Sequence, residues 1–139
     1  MNLFLDYQKK IITSLKILKK KGLILLPNSL DNLTVELPPT GIKSDISCNV
    51  AMILAKSNRQ NPIALAEILK SEFINSFSEF EKIDIAKPGF MNISFKISFW
   101  NDHILKIIKL GSNFGSNKNI KKKYNIEFVS ANPTGPLHI

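Results

Sequence analysis

The chain reads as a small α+β unit, an antiparallel sheet with helices, followed by the opening of a second unit. Three observations predict this. Four segments carry apolar residues at three- and four-residue steps, the helical period, and three short runs alternate apolar with polar, the period of a half-buried strand. A stretch rich in glycine and asparagine, residues 111–119, then interrupts both patterns and reads as a linker. Beyond it stand one strand-like run and a proline-rich loop, too little to bury two faces or pair a backbone alone.

The elements follow in order. Residues 3–20 form a helix, with Phe4, Tyr7, Ile11, Leu15 and Leu18 on one side, Lys9, Lys16 and Lys20 on the other, and Gly22 as the stop. Leu33 to Leu37 alternates and ends at Pro38-Pro39, which predicts a strand near a sheet edge. A loop over 40–45 leads into a predicted helix, about Ser47 to Ser57, whose apolar face is Ile46, Val50, Ile53 and Leu54. Asn61-Pro62 is a cap followed by proline at the first helical position. The helix it starts runs to about Phe77, with Leu65, Ile68, Leu69, Phe73 and Phe77 inward. Ile83–Ile85 and Phe90–Phe95 are paired strands around the turn Lys87-Pro88-Gly89. A last helix spans about Ser98 to Leu110, with Trp100, Ile104, Ile107 and Ile108 inward, and Tyr124 to Val129 reads as a buried strand after the linker. No internal repeat is visible.

Composition narrows the function classes. With 139 residues, 44% of them hydrophobic, the chain is long enough to bury a core without staples. One cysteine, Cys48, and two histidines, His103 and His138, exclude a disulfide framework and a closed Cys/His zinc site, so no metal centre is expected. No apolar run approaches the roughly 18 residues of a membrane span, and Asp6, Lys9 and Lys10 break any signal-peptide core. These features predict a cytoplasmic chain without membrane association. The net charge of +8 suits a polyanion partner. It rests on 18 lysines against a single Arg59, and Lys, Ile and Asn together make 52 of the 139 residues, the profile of an A/T-rich coding sequence. Basicity alone therefore leaves nucleic-acid binding and simple lysine drift as equal readings.

The tail carries the chemistry. Ser130, Asn132, Thr134 and His138 lie beyond the carboxyl end of the predicted strand, in a loop stiffened by Pro133 and Pro136 with Gly135 between them. Open α/β sheets bind ligands at that end, and a following helix N-terminus suits phosphate. On spacing alone a proline-rich turn without a site is the favoured reading.

The run Glu127 to Ile139, E-F-V-S-A-N-P-T-G-P-L-H-I, resembles the signature of arginyl-tRNA synthetases, where it leads into the class I His-x-Gly-His motif. Upstream, Ser44-Asp45-Ile46-Ser47-Cys48-Asn49-Val50-Ala51 is similar to the family's Gly-Asp…Asn-x-Ala segment, with Ser44 for the glycine. Lys87-Pro88-Gly89-Phe90-Met91-Asn92 is similar to Gly-Pro-Gly-Phe-Ile-Asn, with Lys87 for the glycine, and Phe114-Gly115 stands for Tyr-Gly.

The resemblance implies a tRNA-contacting N-terminal domain over 1–86, a connecting strand, helix and linker over 87–119, and the start of a class I Rossmann-like catalytic domain over 120–139. It implies ATP-dependent ligation of arginine to its tRNA through arginyl-adenylate, with magnesium accompanying ATP, by a monomeric cytoplasmic enzyme. By the same likeness Glu127, Ser130 and Asn132 would bind arginine; a carboxylate suits the planar guanidinium fork. Pro133, Thr134, Gly135, Pro136, Leu137, His138 and Ile139 would form the ATP-site motif, with His138 donating to the phosphates as the first motif histidine. Lys9, Lys16 and Lys20 are candidates for tRNA phosphates, whereas Lys121-Lys122-Lys123 reads as a solvated run. The second motif histidine and the rest of the catalytic and anticodon-binding regions are not in these 139 residues, so the piece is expected to be inactive alone. A non-catalytic tRNA-binding module and a gene remnant are the competing readings.

Overall fold

A computed structural model describes residues 2–116 and 125–127. Helix α1 (Leu3–Lys20) opens at Asn2, whose side-chain oxygen accepts hydrogen bonds from the backbone N–H groups of Phe4 and Leu5 at 3.1 and 3.2 Å. Such a cap contributes about 1 kcal/mol. The helix ends as expected at Gly22: its N–H donates to Lys19 O and that of Leu23 to Leu18 O, the paired bonds of a Schellman stop, with Gly22 at φ +75°.

Four strands follow, β1 (Val35–Glu36), β2 (Ile46–Cys48), β3 (Phe80–Ala86) and β4 (Phe90–Phe95), with helices α2 (Val50–Asn58) and α3 (Pro62–Ser76) between β2 and β3. All pairings are antiparallel and the spatial order is β1-β2-β4-β3, so β1 lies at an edge as its prolines predict. The β3–β4 hairpin places β4 centrally against β2, and the expected boundary after residue 86 falls inside that hairpin. Helix α4 (Ile97–Leu110) and a short 3-10 turn (Gly111–Asn113) close the described part.

One sheet face holds the core. Val35, Cys48, Met91 and Ile85 line up across the four strands, as do Ile46, Ile93 and Ile83 across three. Against them pack Tyr7, Ile11, Leu15 and Leu18 of α1, Val50 and Leu54 of α2, and Leu65, Leu69 and Phe73 of α3. A bulge between Phe80 and Lys82 lets Phe80 and Ile83, three residues apart, both face inward. Tyr7, Phe80, Phe95, Phe99 and Trp100 continue the core as an aromatic cluster with ring centroids 4.3–6.0 Å apart.

The small antiparallel sheet with four helices matches the expected first unit. The differences are local. Ile46–Cys48, expected to begin a helix, is β2; Ile46 satisfies a helical step and a strand alternation equally, and pairing with β4 decides between them. Only Val35–Glu36 of the expected 33–37 run pairs, and β3 extends well beyond Ile83–Ile85. Ile68, Ile104 and Ile108, expected inward, are exposed. Asn125, Ile126 and Glu127 are exposed and carry no strand pairing, and the rest of the Tyr124–Val129 run lies outside the described residues.

Candidate functional site

The second sheet face carries a polar row. Glu36 pairs with Ser47, Ser47 with Asn92 and Asn92 with Asp84, so four polar side chains cross all four strands on the side opposite the core. The cause is plain in the sequence: Ser47 lies between Ile46 and Cys48, and Asn92 between Met91 and Ile93. Asp84 is held by Lys82 at 2.8 Å. Over the row lies a concavity of about 350 Å³, lined by Leu37, Pro39 and Ile42 of the β1–β2 loop and by Glu36, Ser47, Lys87, Phe90 and Asn92. Its size is at the lower end of the roughly 300–1,000 Å³ range for small-ligand sites.

Asn92 distinguishes this concavity. It is 3% exposed, and its Oδ1 is buried without a hydrogen-bond partner among the described residues. An unsatisfied buried polar atom costs about 1–3 kcal/mol. Strand β4 holds it there while Gly89 seats the hairpin turn against the start of α3. A Cβ on Gly89 would meet Pro62 Cβ at 2.7 Å, so only glycine allows this approach. The pocket can thus offer an amide edge, the half-buried ring of Phe90, the carboxylate of Glu36 and the ammonium of Lys87. These are the group types that read an unstacked nucleobase: hydrogen-bonding edges beside an aromatic face. In the sequence Phe90-Met91-Asn92 carries part of the family resemblance, but nothing there singles out Asn92 as a site. Its one signal is a lone amide at the buried centre of an apolar strand.

The expected residues fall elsewhere. Lys9, Lys16 and Lys20 are exposed along α1 at seven- and four-residue steps, opposite its buried side, and so on the far side of the helical layer from the polar row. Lys9 and Lys16 also border a shallow concavity of about 550 Å³ with Lys19, Asn28 and Asp31; Lys20 does not line it. Lys10, in the same cluster, is engaged: its Nζ lies 2.9 Å from Glu79 Oε1 and 4.5 Å from the Tyr7 ring centroid. The Tyr7 hydroxyl donates to the same Glu79 oxygen at 2.8 Å. Burial works against the Glu79 carboxylate, but the bonds from Lys10, its own backbone and Tyr7, with the Lys10 charge, hold its pKa below the usual value. Burial, reinforced by Glu79, pushes the Tyr7 hydroxyl up. Cys48 is buried, and desolvation raises its thiol to about 12, which makes it an inert core residue. His103 stacks on Phe99 at 5.7 Å.

Glu127 is exposed; Ser130, Asn132 and the motif from Pro133 through Thr134, Gly135, Pro136, Leu137 and His138 to Ile139 lie outside the described residues. Among the described residues no three His, Cys, Asp or Glu side chains cluster as metal ligands, and no helix is long and apolar enough to cross a membrane.

This two-layer domain, one sheet face packed by helices and the other bearing a polar concavity, belongs to a known class. Residues 5–95 match the family model described as "Arginyl tRNA synthetase N terminal domain", and the chain belongs to that family. Across all of this chain it is 49% identical to the arginine–tRNA ligase of Pelagibacter ubique and 44% identical to that of Wolbachia pipientis from Culex pipiens. The match to the ligase of Bartonella quintana is 42%. The chain spans 24% of the length of each of these relatives. Among solved structures, the arginyl-tRNA synthetase of Thermus thermophilus superposes on 75% of this chain and 16% of its own with a TM-score of 0.52; at 20% identity this likeness speaks for the fold.

Proposed function

We propose that this chain is the N-terminal part of an arginine–tRNA ligase and that its open sheet face receives an unstacked base from a loop at the outer corner of the tRNA. The observation that carries the second half is Asn92: a buried amide whose Oδ1 has no partner within the described residues, at the base of a concavity beside an aromatic ring. A base edge would supply the missing hydrogen bond, and Phe90 a stacking surface.

The family and the similarity to three ligases along all of this chain support the first half. On that reading the chain divides into a tRNA-contacting domain, a connecting segment and the beginning of a catalytic α/β domain from about residue 120. In the complete ligase the arginine carboxylate attacks the ATP α-phosphorus, forming arginyl-adenylate and releasing pyrophosphate, with magnesium accompanying the nucleotide. The terminal ribose hydroxyl of the tRNA then takes the arginyl group and AMP leaves. Glu127 would pair with the substrate guanidinium, Ser130 and Asn132 would hold the other end of the amino acid, and His138 within the 133–139 motif would donate to the ATP phosphates. Lys9, Lys16 and Lys20 would neutralise tRNA backbone. The enzyme would act as a cytoplasmic monomer, and these 139 residues alone would bind tRNA without catalysis.

The test replaces Asn92. Asn92→Leu, close in volume, removes the orphaned oxygen together with the amide edge. The variant should melt at or above the wild-type temperature, because a buried polar cost disappears. Its affinity for an arginine tRNA transcript should fall about 5- to 150-fold, the range for one well-placed base contact worth about 1–3 kcal/mol. Unchanged affinity in a folded variant would remove the base-binding reading. Wild-type binding no tighter to tRNA than to a duplex of equal charge would remove tRNA recognition by this chain altogether.

A further inference from the structure

Helix α4 is amphipathic, yet none of its residues is fully buried. It is attached along one side, where Phe99 and Trp100 join the aromatic cluster around Phe95 and His103 stacks on Phe99. A second apolar row points elsewhere. Ile97, Ile104 and Ile108 recur at seven- and four-residue steps and are 75%, 52% and 69% exposed, with Leu105 beside them, also exposed. The row runs about 16 Å along the helix at 1.5 Å per residue. Lys106 and Lys109 flank it, exposed and without an ion pair among the described residues. Three β-branched residues on one helical stripe are costly in water and poor helix formers, so their alignment calls for a covering surface.

We infer that this row is the face on which the catalytic body of the longer ligase docks, through an apolar patch with an acidic rim. The inference rests on reading the chain as the N-terminal part of such an enzyme. Two observations select that occupant over a second copy of the chain. The relatives are about four times as long as the part matched here, and the matched family model is an N-terminal domain, so a large body follows it in them. Helix α4 is also the last helix before the linker of residues 111–119, which spans at most about 30 Å when fully extended. A body beginning at residue 120 is therefore held beside α4 at a high effective concentration, and a modest apolar patch suffices to dock it. Docking would set the angle between the tRNA-contacting sheet and the catalytic domain without touching either site.

Hydroxyl-radical footprinting, read by mass spectrometry on the peptide covering α4, tests this in two molecules: the 139-residue chain, and a chimera in which it replaces the matching quarter of the Pelagibacter ubique ligase. The expected result is strong labelling of Ile104, Leu105 and Ile108 in the short chain, independent of concentration, and at least a several-fold loss of labelling in the chimera. Phe73, already buried, serves as the internal reference. Labelling that falls as the short chain is concentrated, together with a sedimenting dimer, would assign the row to a second copy and overturn the inference. Equal labelling in chimera and short chain would overturn it too. Should the chimera fail to melt cooperatively, the same footprint on the intact Pelagibacter ligase decides: exposure of the helix that aligns with α4 refutes the docking face, and protection supports it. None of these readings depends on aminoacylation, so a failure of the functional proposal remains separable.

Discussion

Cys48 shows how one residue's surroundings set its chemistry. Its side chain belongs to the core row Val35–Cys48–Met91–Ile85, and burial raises the thiol from an ordinary value of 9.0 to about 12. The native state therefore keeps a proton that the unfolded chain releases, and the stability this contributes is fully present below about pH 9 and lost as pH rises toward 12. Tyr7, whose hydroxyl pKa is also raised, adds a loss in the same direction beginning near pH 10. Urea unfolding midpoints should decline steadily above pH 9, and Cys48→Ala should show a shallower decline between pH 9 and 10 than wild type. Glu79 works at the other end: its carboxylate is held below the usual range, so the Tyr7–Glu79–Lys10 tie stabilises above the ordinary carboxylate pKa and weakens as pH falls through the lowered value. A lone cysteine between Ile46 and Val50 is readable from the sequence as a small apolar side chain. The orphaned oxygen of Asn92 is not, because its partners would have to come from strands and loops distant in sequence.

At the scale of elements, local signals named the helices well. Gly22, and Asn61 with Pro62, mark ends where a left-handed residue or an unpaired N–H needs a particular residue type, and the first helix stops and the third begins there. Strand β2 escaped because three residues are too few to show a period; only the ladder to β4, more than 40 positions away, defines it. The β3–β4 turn depends on close approach at Gly89. A methyl group there would press on Pro62 Cβ at 2.7 Å and Met52 Cγ at 3.2 Å. Gly89→Ala should cost about 1–3 kcal/mol in chemical denaturation, the usual range for overpacking a filled site. It should also displace Phe90 and weaken tRNA binding further than its loss of stability accounts for.

On the whole molecule, the two candidate contact regions lie on opposite sides of a two-layer structure. The α1 lysines form a stripe beyond the helices, and the Asn92 concavity lies on the sheet face opposite the helices. They make separable predictions for tRNA binding. Replacing Lys9, Lys16 and Lys20 together by Ala should lower the slope of log affinity against log salt by up to about 3, one for each phosphate no longer neutralised, and weaken binding uniformly across RNA sequences. Asn92→Leu should weaken binding with the slope unchanged. A triple-lysine variant with the wild-type slope would return the stripe to plain solvation and leave the sheet face as the contact.

Periodicity and caps, both local along the chain, were sufficient by themselves to determine four helices, the hairpin strands and an α+β class, and the motif from Glu127 to Ile139 was sufficient to point to a family. These properties depend on neighbours within a few positions, where chain connectivity alone brings residues together. Only tertiary structure decided the rest. The order β1-β2-β4-β3, the assignment of Ile46–Cys48 to a strand and the polar row Glu36–Ser47–Asn92–Asp84 all require residues tens of positions apart to meet across a sheet. The exposure of Ile104 and Ile108 has the same origin: an apolar helical face announces that it must be covered, and only the packed fold shows that Tyr7 and Phe95 cover the other side of that helix.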